Sequence, residues 1–239
     1  MRRPASRTRR TSLATALSAV ILLAGLAACS DGGGEETPED LAARMDTART
    51  SLDEAASLQV RLATDALPDG VQGLVEADGV GNHDPAFEGT VTVASGALGE
   101  VDAEVVSVDG DVYAELPFTP GFSPVDPGQL GAPDPAALLA TDGGVSGWLT
   151  SAEDLGSEGE SRDGGDVLTA ISGTLPGAVV AELIPSADDA ADFTVEFRLT
   201  DDDVLRDASI TGPFYPDGGD VTYELVVEPS DESVDITAP

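Results

Sequence analysis

From Phe193 to Thr200 the chain alternates without a break: Phe193, Val195, Phe197 and Leu199 are apolar, and Thr194, Glu196, Arg198 and Thr200 are polar. A period of two sends each set to a different face of an extended chain, so this segment can bury one side only and reads as a half-buried strand. Such a strand is stable only beside others like it. The sequence supplies them in Val60 and Leu62, in Val91 and Val93, in Val101, Ala103 and Val105, and in Val112, Ala114 and Leu116, with further apolar stretches at 167–171, 205–210 and 221–227. Asp109-Gly110 is a two-residue hairpin signal and Gly218-Gly219 a turn. Val106 and Val108 fall on the parity opposite to Val101, Ala103 and Val105, which predicts a bulge or a strand covered on both faces.

Helical signals are fewer. Thr37-Pro38-Glu39-Asp40 places an N-cap, a first-turn proline and two carboxylates where a helix start wants them, and Leu41, Met45, Ala48, Leu52 and Ala55 follow as one apolar stripe. Asp126-Pro127 and Asp134-Pro135 each set a capping residue before a proline, so short helices are expected there. The second runs through Leu138 and Leu139 and stops at Gly143-Gly144, ahead of Val145, Trp148 and Leu149. A helix of about two turns is expected from Pro176 to Ile184. About ten strands, with short helices inserted after the fifth, predict an α+β domain whose helices gather on one face of a curved antiparallel sheet.

The first thirty residues obey other rules. Arg2, Arg3, Arg7, Arg9 and Arg10 precede an apolar run from Leu13 to Ala28, the pattern of a signal peptide. It ends in Leu26-Ala27-Ala28-Cys29, which resembles a bacterial lipobox. Residues 1–28 are therefore expected to be removed and Cys29 to be acylated, with 29–37 as an acidic, glycine-rich tether and 38–239 as a single domain. Two or three acyl chains, at about 0.8 kcal/mol per buried CH₂, hold a protein on a membrane far better than one. Cys29 is the sole cysteine, so no intramolecular disulfide can form. Arg9-Arg10 leaves both the general and the twin-arginine export routes open.

Without the signal segment the chain keeps six arginines and no lysine against 45 acidic residues, a formal charge of −39. That excludes nucleic acid as a partner and leaves the expected lipid anchor, not a basic face, to hold the protein on a membrane. Asp188-Asp189 and Asp201-Asp202-Asp203 lack the spaced ligands and glycine of a calcium loop, so no metal site is expected. The one histidine, His83, sits in the turn-like Gly81-Asn82-His83-Asp84-Pro85. No nucleophile elbow, phosphate loop, dinucleotide fingerprint or Cys/His cluster is present, so neither enzyme activity nor a cofactor is expected.

The order of lipobox, acidic tether, amphipathic helix, strand meander, Asp-Pro helices and returning strands resembles the LppX/LprAFG family of mycobacterial-type lipoproteins. The resemblance is carried by residues 87–93 (FEGTVTV), 108–114 (VDGDVYA), Asp126-Pro127 with Gln129-Leu130, and Ile171-Ser172-Gly173, and it covers about residues 38–238. It implies a strongly curved half-barrel, similar to the LolA/LolB lipid carriers, with short helices over the concave face and a hydrophobic cavity between. It further implies that multi-acylated lipids or glycolipids are bound there and carried outward from the plasma membrane, with a membrane lipid transporter as a partner it allows. The chain would then stand on the extracytoplasmic face of the cell membrane. On that reading Val91, Val93, Val101, Ala103, Val105, Leu138, Leu139, Val145, Trp148 and Leu149 are the candidate cavity residues. From the residues alone the same apolar faces could close into a solid core, giving an anchored interaction module instead.

Overall fold

Thr37 caps helix α1 (Pro38–Asp53) in a computed structural model that describes residues 36–95, 99–117, 119–130, 132–216 and 218–239. The signal segment, Cys29 and the tether up to residue 35 lie outside the described residues. The capping box is reciprocal. Asp40 N–H donates to Thr37 Oγ1 at 3.3 Å, and the Asp40 carboxylate accepts from Thr37 N–H at 3.1 Å. The carboxylate also accepts from the Thr37 hydroxyl at 2.7 Å, and the two bonds it accepts hold it below its usual pKa, the hydroxyl contributing most. Leu41, Met45, Ala48 and Leu52 form the buried stripe.

Eleven strands complete the sheet: β1 (Ser57–Ala63), β2 (Gly73–Asn82), β3 (Ala86–Ser95), β4 (Gly99–Val108), β5 (Asp111–Glu115), β6 (Ser123–Val125), β7 (Glu153–Asp163), β8 (Asp166–Pro176), β9 (Asp192–Thr200), β10 (Leu205–Gly212) and β11 (Val221–Ser230). Two further helices are short, α2 (Ser146–Ser151) and α3 (Gly177–Leu183). The strands make one antiparallel sheet in the order β6-β5-β4-β3-β2-β1-β11-β10-β9-β8-β7, an open half-barrel. Two meanders, β1 to β6 and β7 to β11, are thus joined in the middle by pairing of the first strand with the last.

This order has one strong consequence. Strands β6 and β7 are consecutive in the chain yet lie at opposite edges, so residues 126–152 must cross the whole width of the sheet. That crossing and α1 supply the cover of the concave face. The cover is unequal: α1 packs against α2, β7 and β10, and α2 and α3 pack against β8. Over β2 to β6 lies the crossing segment.

Side chains of one concave row can be traced through the register, from Ala103 to Val91, Ala77, Leu62, Leu225, Ala208, Phe197 and Ile171. Those on the β7 to β11 side belong to a continuous core with α1, α3, Phe193 and Phe214. Phe214 meets Phe193 and Tyr223 edge-on at ring separations of 4.9 and 5.0 Å. On the far side Ala103, Val105, Val112 and Ala114 form a separate small cluster.

Several expectations change in detail. Among the described residues the strands number eleven, and β2, β6 and β7 have no periodic run in the sequence to announce them. β2 shifts register between Leu74 and Glu76 and carries Gly79 and Gly81 on its inner face, so it shows no continuous alternation. At each Asp-Pro site the carboxylate accepts a backbone N–H two residues on, Asp126 from Gly128 and Asp134 from Ala136, but only 3-10 turns follow, at Pro127–Leu130 and, without a side-chain cap of its own, at Ala137–Leu139. Val106 and Val108 mark no bulge: β4 pairs with β3 in unbroken register, and both valines are half-buried on the convex face.

Candidate functional site

Between β2 to β6 and the crossing segment lies an apolar space of about 510 Å³. Its floor is built by period-two alternation: Val91 and Val93 from β3, Val101, Ala103 and Val105 from β4, Val112 and Ala114 from β5, with Leu74 and Ala77 from β2. Val91 stands opposite Ala103, and Val93 opposite Val101. Val91, Val93 and Val101 face inward yet are only half-buried, whereas the inward Ile171, Leu175 and Phe193 on the other half are 0% exposed. The roof comes from the crossing segment, chiefly Pro127, Leu130, Pro133, Pro135 and Leu138. Proline suits this place, because an irregular chain over an apolar space would otherwise present unpaired N–H groups, and proline has none. Ser95, Asp126 and Gln129 are the polar side chains of the lining, and Leu116 and Leu130 are apolar lining residues that remain 41% and 43% exposed.

A second, small space of about 50 Å³ lies beside the first, among β1, β2, β10, β11 and the α2 region. Leu139, Val145 and Trp148 line it, together with Val60, Phe87, Phe214, Tyr215 and Tyr223. Leu74, Ala77, Pro133, Pro135 and Leu138 belong to the walls of both. Of the residues nominated from sequence, Val91, Val93, Val101, Ala103, Val105 and Leu138 thus meet around the large space. Leu139, Val145 and Trp148 stand around the small one, while Leu149 lines neither and is packed in the core at 1% exposure. The Trp148 indole N–H is buried without a hydrogen-bond partner among the described residues.

The border between the two halves is held by a polar ring that sequence reasoning missed. Leu74 N–H donates to Tyr215 Oη at 3.1 Å, the two tyrosine hydroxyls share a 2.7 Å hydrogen bond, and Tyr223 O–H donates to the Leu74 carbonyl at 2.6 Å. Both backbone groups of Leu74, exposed by the register shift of β2, are thereby satisfied. Burial pushes both phenols above their usual pKa, and their mutual hydrogen bond opposes this at Tyr215. The alternation of Val221, Tyr223 and Leu225 signals an inward tyrosine, but nothing local signals its partner strand.

The roof is fastened at several points. Ser107 Oγ donates to Asp134, Arg49 reaches Thr150 Oγ1 at 2.9 Å and the Thr141 carbonyl at 3.4 Å, and His83 bridges two carbonyls. Its Nδ1 lies 2.7 Å from Leu139 O and its Nε2 2.9 Å from Leu52 O, tying the β2–β3 hairpin to the roof and to the end of α1.

An open antiparallel half-barrel with a one-sided apolar chamber is the class of protein that this fold and site define. Residues 40–238 match the LppX_LprAFG lipoprotein family, and the chain belongs to it. Among solved structures it is similar to LprF from Mycobacterium bovis, at 16% identity and a TM-score of 0.65, over 86% of this chain and 99% of that one. It is also similar to the lipoprotein LppX from Mycobacterium tuberculosis, at 20% identity and a TM-score of 0.58, over 84% of this chain and 100% of that one. A LolA superfamily protein from Nitrosomonas europaea overlaps at 10% identity and a TM-score of 0.31, over 79% and 91% of the two chains, too distant to carry an argument. No curated protein matches the chain by sequence.

Proposed function

We propose that this protein binds the hydrocarbon tails of multi-acylated lipids or glycolipids in the chamber under its proline-rich roof, and carries them outward from the plasma membrane. The observation that carries this reading is the apolar space of about 510 Å³ over the valine and alanine floor of β3, β4 and β5. Its volume falls within the roughly 300–1,000 Å³ typical of small-molecule sites. A tail leaving water for such a wall is stabilised by about 0.8 kcal/mol per buried CH₂, and shape alone decides what fits. Val91, Val93, Val101, Ala103, Val105 and Leu138 would touch the tails, and Ser95, Asp126 and Gln129 a polar head. Leu139, Val145, Trp148 and Leu149 would back the roof instead. Acylation at Cys29 would hold the protein on the extracytoplasmic face, and no catalytic step is invoked.

The test is native mass spectrometry of unacylated protein made from residue 30 onward, before and after lipid extraction. Co-purifying lipid that can be removed and reloaded supports carriage. Clean protein that resists loading would leave an anchored interaction module whose acidic surface is the working face.

A further inference from the structure

Gly79 of β2 faces Gly89 of β3, and their row continues into Val60 of β1 and Val105 of β4. Two facing glycines on adjacent inner strands leave a trough in the concave face. The ring of Phe87 lies in it: a β-carbon at Gly79 would stand 2.5 Å from Phe87 Cζ, and one at Gly89 2.9 Å from the same atom. Phe87 is 3% exposed and belongs to the wall of the small space, as does Val60. Val105, at the other end of the trough, belongs to the wall of the large one. The ring itself borders only the small space, and it fills the row of floor that runs from there toward Val105.

We propose that Phe87 is a specificity-determining plug, whose ring fills the Gly79–Gly89 trough, keeps the large chamber from extending along that row into the small space and so sets the longest hydrocarbon chain the protein can bury. The proposal rests on the carrier reading and adds a limit to it. In an apolar chamber each methylene strengthens binding only while it finds wall to cover, so an end stop shows as a chain length beyond which affinity no longer rises. Removing the ring opens the trough toward the small space, and the plateau moves to longer chains.

The test uses purified protein stripped of co-purifying lipid and a series of saturated monoacylglycerols of increasing length, chosen because an uncharged head is not repelled by the acidic surface. Below the plateau, affinity should rise roughly fourfold per methylene. In Phe87→Ala the plateau should move out by roughly two to four methylenes, the room a phenyl ring vacates, and in Phe87→Leu by less. The leucine variant keeps most of the packing and carries the test if the alanine variant does not fold. A plateau at the wild-type length in folded variants overturns the proposal. Xenon-pressurised crystals read the same space without lipid: xenon over Gly79 and Gly89 in a variant and absent from wild type is expected, and a collapsed, xenon-free trough overturns the plug. Wild-type protein that binds none of the series would sink the carrier reading, while the xenon result still decides the plug.

Discussion

The two meanders are built from the same kind of strand and differ in what stands on it. On β8 to β11 the inward residues include Ile171, Leu175, Phe193, Phe197, Leu199, Ile210 and Tyr223, and α1 presses Leu41, Met45, Ala48 and Leu52 onto that side. On β3 to β5 those that floor the chamber are chiefly valine and alanine, and a proline-rich strip bridges them without reaching down. Side-chain volume, not backbone architecture, decides which half is solid. A fold can thus keep its stability in one half and leave the other free for a guest.

The sharpest way to break this contrast is to cut a large side chain from the solid half. Phe193→Ala, at a site 0% exposed, is expected to lower unfolding free energy by about 3–5 kcal/mol in a denaturant titration. A loss no larger than that of Val91→Ala would erase the distinction. The next test adds volume to each half. Val195→Trp, where the native side chain is 1% exposed, should destabilise by about 1–3 kcal/mol through overpacking. Val91→Trp should fit into the chamber, shift stability by less than about 1 kcal/mol and weaken lipid loading by about tenfold. Unfolding by the second change would mean that its side of the sheet is packed after all.

Tyr223→Phe probes the seam. It removes the donor to the Leu74 carbonyl and should destabilise by about 1–3 kcal/mol, the penalty of a buried acceptor left unpaired, as read by thermal unfolding. The smallest effect expected is on the convex face. The Glu224 carboxyl is raised above its usual pKa, first by partial burial and then by Asp207, with Asp65 and Glu196 adding and Arg198 opposing. Such a group holds a proton in the folded state where the unfolded chain has lost it, so acidification from the raised value down to the usual one stabilises the fold. Glu224→Gln should therefore stabilise the protein near neutral pH by less than about 1 kcal/mol, the gain fading as pH falls through the raised value and gone below the usual glutamate range. A constant gain across pH would remove that electrostatic account.

The strands with clean alternation were legible because each side chain reports its own face: β3, β4, β5 and β9 could be placed by counting in twos. The α1 cap and stripe were legible for the same local reason. β2 was not, because a register shift and inward glycines replace its pattern with one completed from elsewhere, by Phe87 on β3 and by Leu139 against Gly81. β7 was hidden by its exposure at the sheet edge, where no buried face imposes a period. Within the chamber periodicity gave the inward set of floor valines, and the family resemblance alone their place at a cavity. Neither gave Leu74, Ala77 and the prolines of the roof, whose position depends on a crossing between sheet edges that no short window of sequence records. The same holds for Leu149, whose neighbour Trp148 lines the small space while it turns into the core.

Pairing of β1 with β11 joins residues near the two ends of the domain, Ser57 to Ser230 and Ala63 to Glu224. Each meander can assemble from neighbouring hairpins as it emerges, but the seam between them must wait for the last strand. A chain that folds from its first strands onward therefore forms its valine floor before the far half exists to clamp the roof's trailing end. On the proposed carrier reading a guest would be enclosed only once the last strand is in place, and a protein truncated before β11 should be left with two unjoined ribbons.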